Sequence, residues 1–144
     1  MRRREVLAGL GVAATAGLAG CGSVLGSGSG SGCGGDDYDV GMSASAFEPR
    51  VVTVEVGDTV VWKNTTQRAH TVTAYEAELP EGADFFASGG YESTDAARDG
   101  WLQNGGAIYT CDTYEHTFEV AGEYPYFCVP HERAGMVGTV VVEG

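Results

Sequence analysis

Val52, Val54 and Val56 alternate with Thr53 and Glu55, the period-two pattern of a strand with one face buried. The pattern is strand-like from Tyr38 onward. Gly57-Asp58 marks a turn, and Thr59-Val60-Val61-Trp62-Lys63 runs on as a second strand that Asn64-Thr65-Thr66 ends. His70-Thr71-Val72-Thr73 begins another. Further on, Tyr114, His116, Phe118 and Val120 alternate with Glu115, Thr117 and Glu119. Gly122 turns the chain into residues 123–128, and the Val-rich stretch 137–143 is a last strand. Short strands punctuated by Gly and Asp turns predict an all-β fold, a β-sandwich of Greek-key type. Residues 76–107 break the pattern, being rich in Glu, Gly, Ser and Ala without alternation. They form an irregular excursion, within which Ser93-Thr94-Asp95-Ala96-Ala97-Arg98 starts one short helix behind a capping residue. No internal repeat is present.

The first 35 or so of the 144 residues follow other rules. Arg2-Arg3-Arg4 precedes a short run of apolar or small residues at 6–19, and Leu18-Ala19-Gly20-Cys21 follows. A basic start, a short apolar run and small residues before a cleavage point make residues 1–20 a signal peptide. The run is too short to span a bilayer as a helix, which needs roughly 20 residues. The arginines resemble a twin-arginine signal and the Leu-Ala-Gly-Cys run a lipobox, so Cys21 is expected to carry a lipid. Residues 21–37 are then a Gly/Ser-rich flexible linker, and residues 38–144 the folded domain. Such a leash has a reach of about 20 Å. It would hold the domain at the extracytoplasmic face of the cell membrane and let it turn toward different partners.

From Cys21 onward five basic residues face nineteen acidic ones, and Lys63 is the single lysine. Such a surface repels nucleic acid and anionic lipid, which excludes DNA or RNA as a partner. Two readings of the acidity compete: a face for a basic redox partner, or adaptation to a salty medium. The scattered acids and scarce lysine favour the second. In molar salt the Debye length is about 3 Å, so long-range steering would be weak.

The informative segment is Cys128-Val129-Pro130-His131-Glu132-Arg133-Ala134-Gly135-Met136, which reads Cys-x2-His-x4-Met on a loop between two strands. A further histidine, His70, begins a strand far upstream. A soft thiolate, two imidazoles and a weak axial thioether make the trigonal site of blue copper proteins. Thiolate and thioether favour Cu(I), and imidazole suits both oxidation states, so a compromise site changes little on electron transfer. Alternatives are few: the chain has three histidines, and two methionines after the signal. Each residue alone has a blander reading, an inert buried thiol, a core methionine or an exposed histidine. Their joint spacing in an all-β context outweighs those. His116 shares a face with Tyr114, Phe118 and Val120 and reads as a partly buried histidine outside the copper site. Pro130 has no N–H to offer the thiolate. That leaves more charge on sulfur, favours Cu(II) and should lower the potential.

Phe47-Glu48-Pro49, Val60-Val61-Trp62, Ala69-His70-Thr71-Val72, and Tyr124 through His131 with Met136-Val137-Gly138-Thr139-Val140 carry a family resemblance. Over about residues 38–144 the chain resembles the plastocyanin/halocyanin branch of the cupredoxins, and most closely the halocyanins of halophilic archaea. The resemblance implies a cupredoxin fold and one type 1 copper ion at His70, Cys128, His131 and Met136. It implies single-electron transfer with no chemistry on a substrate, hence no enzyme. Membrane redox complexes or cytochromes would be the partners of a monomeric carrier. Electrons would leave through His131, whose ring edge should reach a surface of Val129, Pro130, Ala134 and Gly135. Thr71 stands where plastocyanins usually have Asn. That position ties the two ligand loops together and steers a backbone N–H toward the thiolate, and Thr can still hydrogen-bond.

Cys33 and Cys111 remain once Cys21 and Cys128 are assigned. In an oxidising compartment they form a disulfide, stay free, or pair between molecules. Among functions, an electron carrier leads and an extracytoplasmic copper-delivery protein is the alternative, although the Met- and His-rich tracts of such proteins are absent. A copper oxidase or nitrite reductase needs more histidines than three. A metal-free structural sandwich would leave the ligand set unexplained.

Overall fold

A computed structural model describes residues 33–35 and 37–144. The signal peptide, Cys21 and the linker up to residue 32 lie outside the described residues. Eight strands and one α-helix form among the described residues, in two four-stranded sheets. β1 (Val40–Met42), β2 (Phe47–Glu48), β4 (Thr59–Asn64) and β6 (Thr113–Thr117) make the first sheet, in the order β2-β1-β4-β6. β3 (Val51–Glu55), β5 (Thr73–Ala74), β7 (Gly122–Phe127) and β8 (Val137–Glu143) make the second, in the order β3-β8-β7-β5. β1 runs parallel to β4 and β3 parallel to β8, while the other pairs are antiparallel. The chain crosses between the layers at each connection from β2 through β7, while β1 with β2 and β7 with β8 pair within one sheet, and the sandwich of the sequence reading is the observed fold.

Trp62 on β4 is wholly buried between the layers. The rings of Phe86, Tyr114, Phe118 and Tyr126 surround it at centroid distances of 5.3–6.5 Å. Each such pair adds about 0.5–1.5 kcal/mol beyond simple burial. At Gly138 the layers leave no room for a side chain. A Cβ there would lie 2.6 Å from the Tyr126 hydroxyl and 3.0 Å from the Arg50 carbonyl.

The strand expected from His70 does not begin at that residue. The ladder starts at Thr73, opposite Phe127, and His70 makes only an isolated bridge with Ile108. The reason lies in where the backbone donors go. The His70 N–H bonds the Ile108 carbonyl, the Thr71 N–H points at the Cys128 sulfur, and the Val72 N–H bonds the Ser88 hydroxyl. Phe118–Val120 likewise leaves the β6 ladder: Phe118 exchanges hydrogen bonds with the turn at Gly57 and Asp58.

The excursion is ordered. Phe86 and Ser88 lie along residues 72–74, with Ala74 N–H bonded to the Phe86 carbonyl and Ser88 N–H to the Val72 carbonyl. Helix α1 (Thr94–Trp101) starts at Ser93, whose side chain accepts from the Ala96 N–H at 3.0 Å. The Thr94 hydroxyl donates to the Ala74 carbonyl at 2.8 Å and accepts from the Glu76 N–H at 2.9 Å. This pins the start of α1 to the end of β5.

Cys33 and Cys111 are joined as a disulfide, with an S–S distance of 2.09 Å. It spans 78 residues of sequence, and closing a loop of that length lowers the entropy of the unfolded chain by an amount worth roughly 4 kcal/mol. The Lys63 ammonium, nearly buried, donates to the Cys33 carbonyl at 3.3 Å and lies 3.9 Å from Asp37.

Candidate metal centre

Three segments converge at one end of the sandwich: the chain between β4 and β5, the loop after β7, and the start of β8. The loop 128–136 folds onto itself. The His131 N–H bonds the Cys128 carbonyl at 3.1 Å, and the Gly135 N–H bonds the Glu132 carbonyl at 2.9 Å. The Cys128 N–H closes the loop on the Met136 carbonyl at 3.0 Å. Gly135 sits at φ 89°, a left-handed conformation that glycine adopts without a steric penalty.

The sequence-predicted residues meet there. The donor atoms of His70, Cys128 and His131 all lie within 4.8 Å of one another. Both histidines turn Nδ1 toward the Cys128 sulfur, at 3.6 Å for His70 and 3.4 Å for His131, and their rings are 4.9 Å apart. Cys128 and His70 are wholly buried and His131 is half-buried. Met136 is also wholly buried, one loop closure from Cys128. Val129 and Pro130 beside His131 are half-buried, and Ala134 and Gly135 are exposed.

The tautomer of His70 follows from its surroundings. The Thr66 hydroxyl lies 3.1 Å from Nε2. Its own proton goes to the Asn64 side-chain oxygen at 2.8 Å or to the Arg68 carbonyl. It therefore accepts from Nε2–H, which leaves the Nδ1 lone pair facing the sulfur. Asn64, fully buried, donates to the Arg68 and Ile108 carbonyls at 2.6 and 2.8 Å and so shapes the loop that carries His70. Thr71 ties the two ligand loops: its N–H approaches the Cys128 sulfur at 3.4 Å, and its hydroxyl accepts from the Val129 N–H at 2.7 Å.

Charge is costly here. Burial first, then the nearby His131 and Arg68, pull the His70 pKa down to about 4. His131 is lowered by burial and by Arg68. Both imidazoles stay neutral, the form that ligates a metal. Burial raises the Cys128 thiol despite the hydrogen bonds from Thr71, so a metal must displace its proton. One thiol sulfur, two imidazole nitrogens and a buried thioether suit a soft transition metal, and copper fits all of them.

Sequence reasoning missed Asn64 and Thr66, and also the partners of one loop residue, Glu132. Glu132 accepts two hydrogen bonds from Arg98 of α1 and one from the Tyr75 hydroxyl. Long-range polar partners of this kind leave no periodic signal. His116 lies apart from the centre, half-buried, its ring stacked on Phe86 at 4.6 Å and edge-on to Phe118.

Residues 36–143 match the family of copper-binding proteins described as the plastocyanin/azurin family. A chloroplastic plastocyanin of Tetradesmus obliquus is 38% identical over 100 residues, which are 69% of this chain and 60% of that protein. The chain thus spans less than two thirds of that relative. A plastocyanin of Scenedesmus fuscus is 36% identical over 100 residues, covering 69% of this chain and 89% of the relative. Among solved structures, an oxidised amicyanin variant superposes with a TM-score of 0.54 at 28% identity, covering 79% of this chain and 90% of that one. A Cu(I) amicyanin variant gives 0.51 at 25% identity, with the same coverage. Fold and donor set define a copper-binding sandwich protein. The chain belongs to the plastocyanin/azurin family of cupredoxins.

His116 makes stability depend on pH. Burial lowers its pKa from the ordinary 6.5, with Asp84 opposing. The folded state therefore prefers the neutral ring. That preference stabilises fully above pH 6.5 and is lost as pH falls toward the lowered value. In the copper-free protein, His116→Phe should flatten the decline in Tm between pH 7 and pH 5. An undiminished decline would show that His116 does not contribute.

Proposed function

We propose that His70, Cys128, His131 and Met136 hold a single copper ion and that the protein is a single-electron carrier. The observation that carries this reading is the convergence of two Nδ1 atoms on one buried sulfur, at 3.6 and 3.4 Å, in a chain of a copper-binding family. Bound copper supplies the one-electron change between Cu(II) and Cu(I). The residues supply a fixed donor set: Thr66 sets the His70 tautomer, Thr71 joins the two loops, and the loop closure at Cys128 and Met136 holds the sulfur donors together. His131, half-buried among small and apolar neighbours, is the exit for the electron. Such a contact works at short range and tolerates salt.

The signal, lipobox and Gly/Ser leash support a protein held by a lipid on Cys21 at the outer face of the membrane. There it would shuttle between redox complexes or cytochromes as a monomer. The acidity supports a halophilic setting and a kinship with halocyanins. Copper delivery is the second reading, and the deep burial of His70, Cys128 and Met136 disfavours it, because a donor protein must release its ion to an acceptor.

The mature chain loaded with Cu(II) should be intensely blue, take up one electron per molecule with bleaching, and recover on oxidation. Cys128→Ser should abolish the colour. A pale protein, or colour that survives in Cys128→Ser, would refute the assignment. Pro130→Ala should raise the reduction potential by supplying an N–H near the sulfur, and a lower or unchanged potential would refute that role for Pro130. Expressed in its native cells, Cys21→Ser should move the protein from the membrane fraction to the medium, and full retention in the membrane would exclude the lipid anchor.

A further inference from the structure

The excursion that separates β5 from β6 reaches back to the ligand loop through one carboxylate. Glu132, the residue after His131, is gripped from two sides. The Arg98 guanidinium of α1 bonds it in a fork, Nη1 to Oε1 at 2.5 Å and Nη2 to Oε2 at 3.3 Å. The Tyr75 hydroxyl donates to Oε2 at 2.7 Å. Both grips rest on Phe127, the residue before Cys128. Its ring is fully buried, stacked on Tyr75 at 4.4 Å and covered by the Arg98 guanidinium at 4.5 Å. Arg98 and Tyr75 thus touch the neighbours of two predicted ligands at once. The far end of the grip is fixed, because Thr94 pins α1 to the end of β5.

We propose that Tyr75 and the excursion 76–107 that follows it act as a brace on the ligand loop, in which Arg98 and Tyr75 are positioning residues that hold Glu132 and thereby the place of His131. The inference rests on the copper-carrier reading above. The backbone hydrogen bonds on His131, to Cys128 and from Met136, are internal to the loop and move with it, so a contact from outside is what keeps His131 in one position when the charge at the site changes. Movement of a ligand between oxidation states slows electron transfer, because the two states must share a geometry at the moment of transfer. A forked, partly covered ion pair resists that movement. An exposed pair would be worth little. This one has fork geometry, is stacked on an aromatic ring and is shared with a tyrosine, so it persists where salt screens simple surface pairs.

The test compares Arg98→Leu, Glu132→Gln and Tyr75→Phe with the wild-type mature chain. In the copper-free protein, amide hydrogen exchange at residues 129–136 should speed up by about tenfold in Arg98→Leu and Glu132→Gln, with exchange in the core of β7 and β8 unchanged. Tyr75→Phe keeps the stack on Phe127 and should have a smaller effect. In the copper-loaded protein the first two variants should shift the visible band pattern and slow electron self-exchange severalfold. If α1 merely stabilised the whole domain, exchange would rise everywhere and the spectrum would stay. Unchanged loop exchange, or a wild-type spectrum and self-exchange rate in both variants, would overturn the brace. A colourless wild-type chain whose loop still loosens in the variants would reject the carrier reading and keep the brace.

Discussion

The sulfur of Cys128 is wholly buried, and a buried sulfur that must carry charge has to be met by donors or by a cation. The chain around it is organised to that end. Thr71 gives its N–H to the sulfur rather than to a sheet, two imidazoles face it, and the loop behind it closes on Met136. The cost is a broken ladder at residues 70–72. The compensation comes from Ser88 in the excursion and Ile108 just after it, which take up the backbone groups that the sheet does not. The sandwich supplies rigidity from elsewhere, through a core packed on Trp62.

The electrostatics follow the same logic. Burial keeps the histidines neutral and the thiol protonated in the absence of metal, so the site stays in the uncharged form that a dry interior tolerates. The strong charges stand just outside. The hydrogen bonds from Arg98 lower the Glu132 carboxyl pKa, which favours its ionised form. Glu132 belongs to the loop, and its carboxylate is gripped from outside by Arg98 and Tyr75, which attaches the loop to the rest of the domain.

Much of this was legible in the chain. The alternation at 52–56 and 114–117 and the Val-rich run at 137–143 located strands, and the Cys-x2-His-x4-Met spacing with His70 located the centre, because strand composition and metal chemistry both leave marks at short range. The helix was legible from Ser93, since a capping hydroxyl acts within one turn. What was not legible acts over long separations. The parallel pairing of β3 with β8 and of β1 with β4, the Cys33–Cys111 bond, and the Arg98–Glu132 contact each join segments that no local pattern links. The strand expected at His70 misled for the same reason: the segment is buried like a core strand, but its donors are claimed by partners 16 to 57 residues away.

The most direct test of the donor set is X-ray absorption at the copper edge of the loaded mature chain, read beside Cys128→Ser and His70→Gly. The account predicts one short sulfur and two nitrogen neighbours, with the sulfur lost in the first variant and one nitrogen lost in the second. A copper ion surrounded by oxygen, or by nitrogen alone, in the unaltered protein would contradict it.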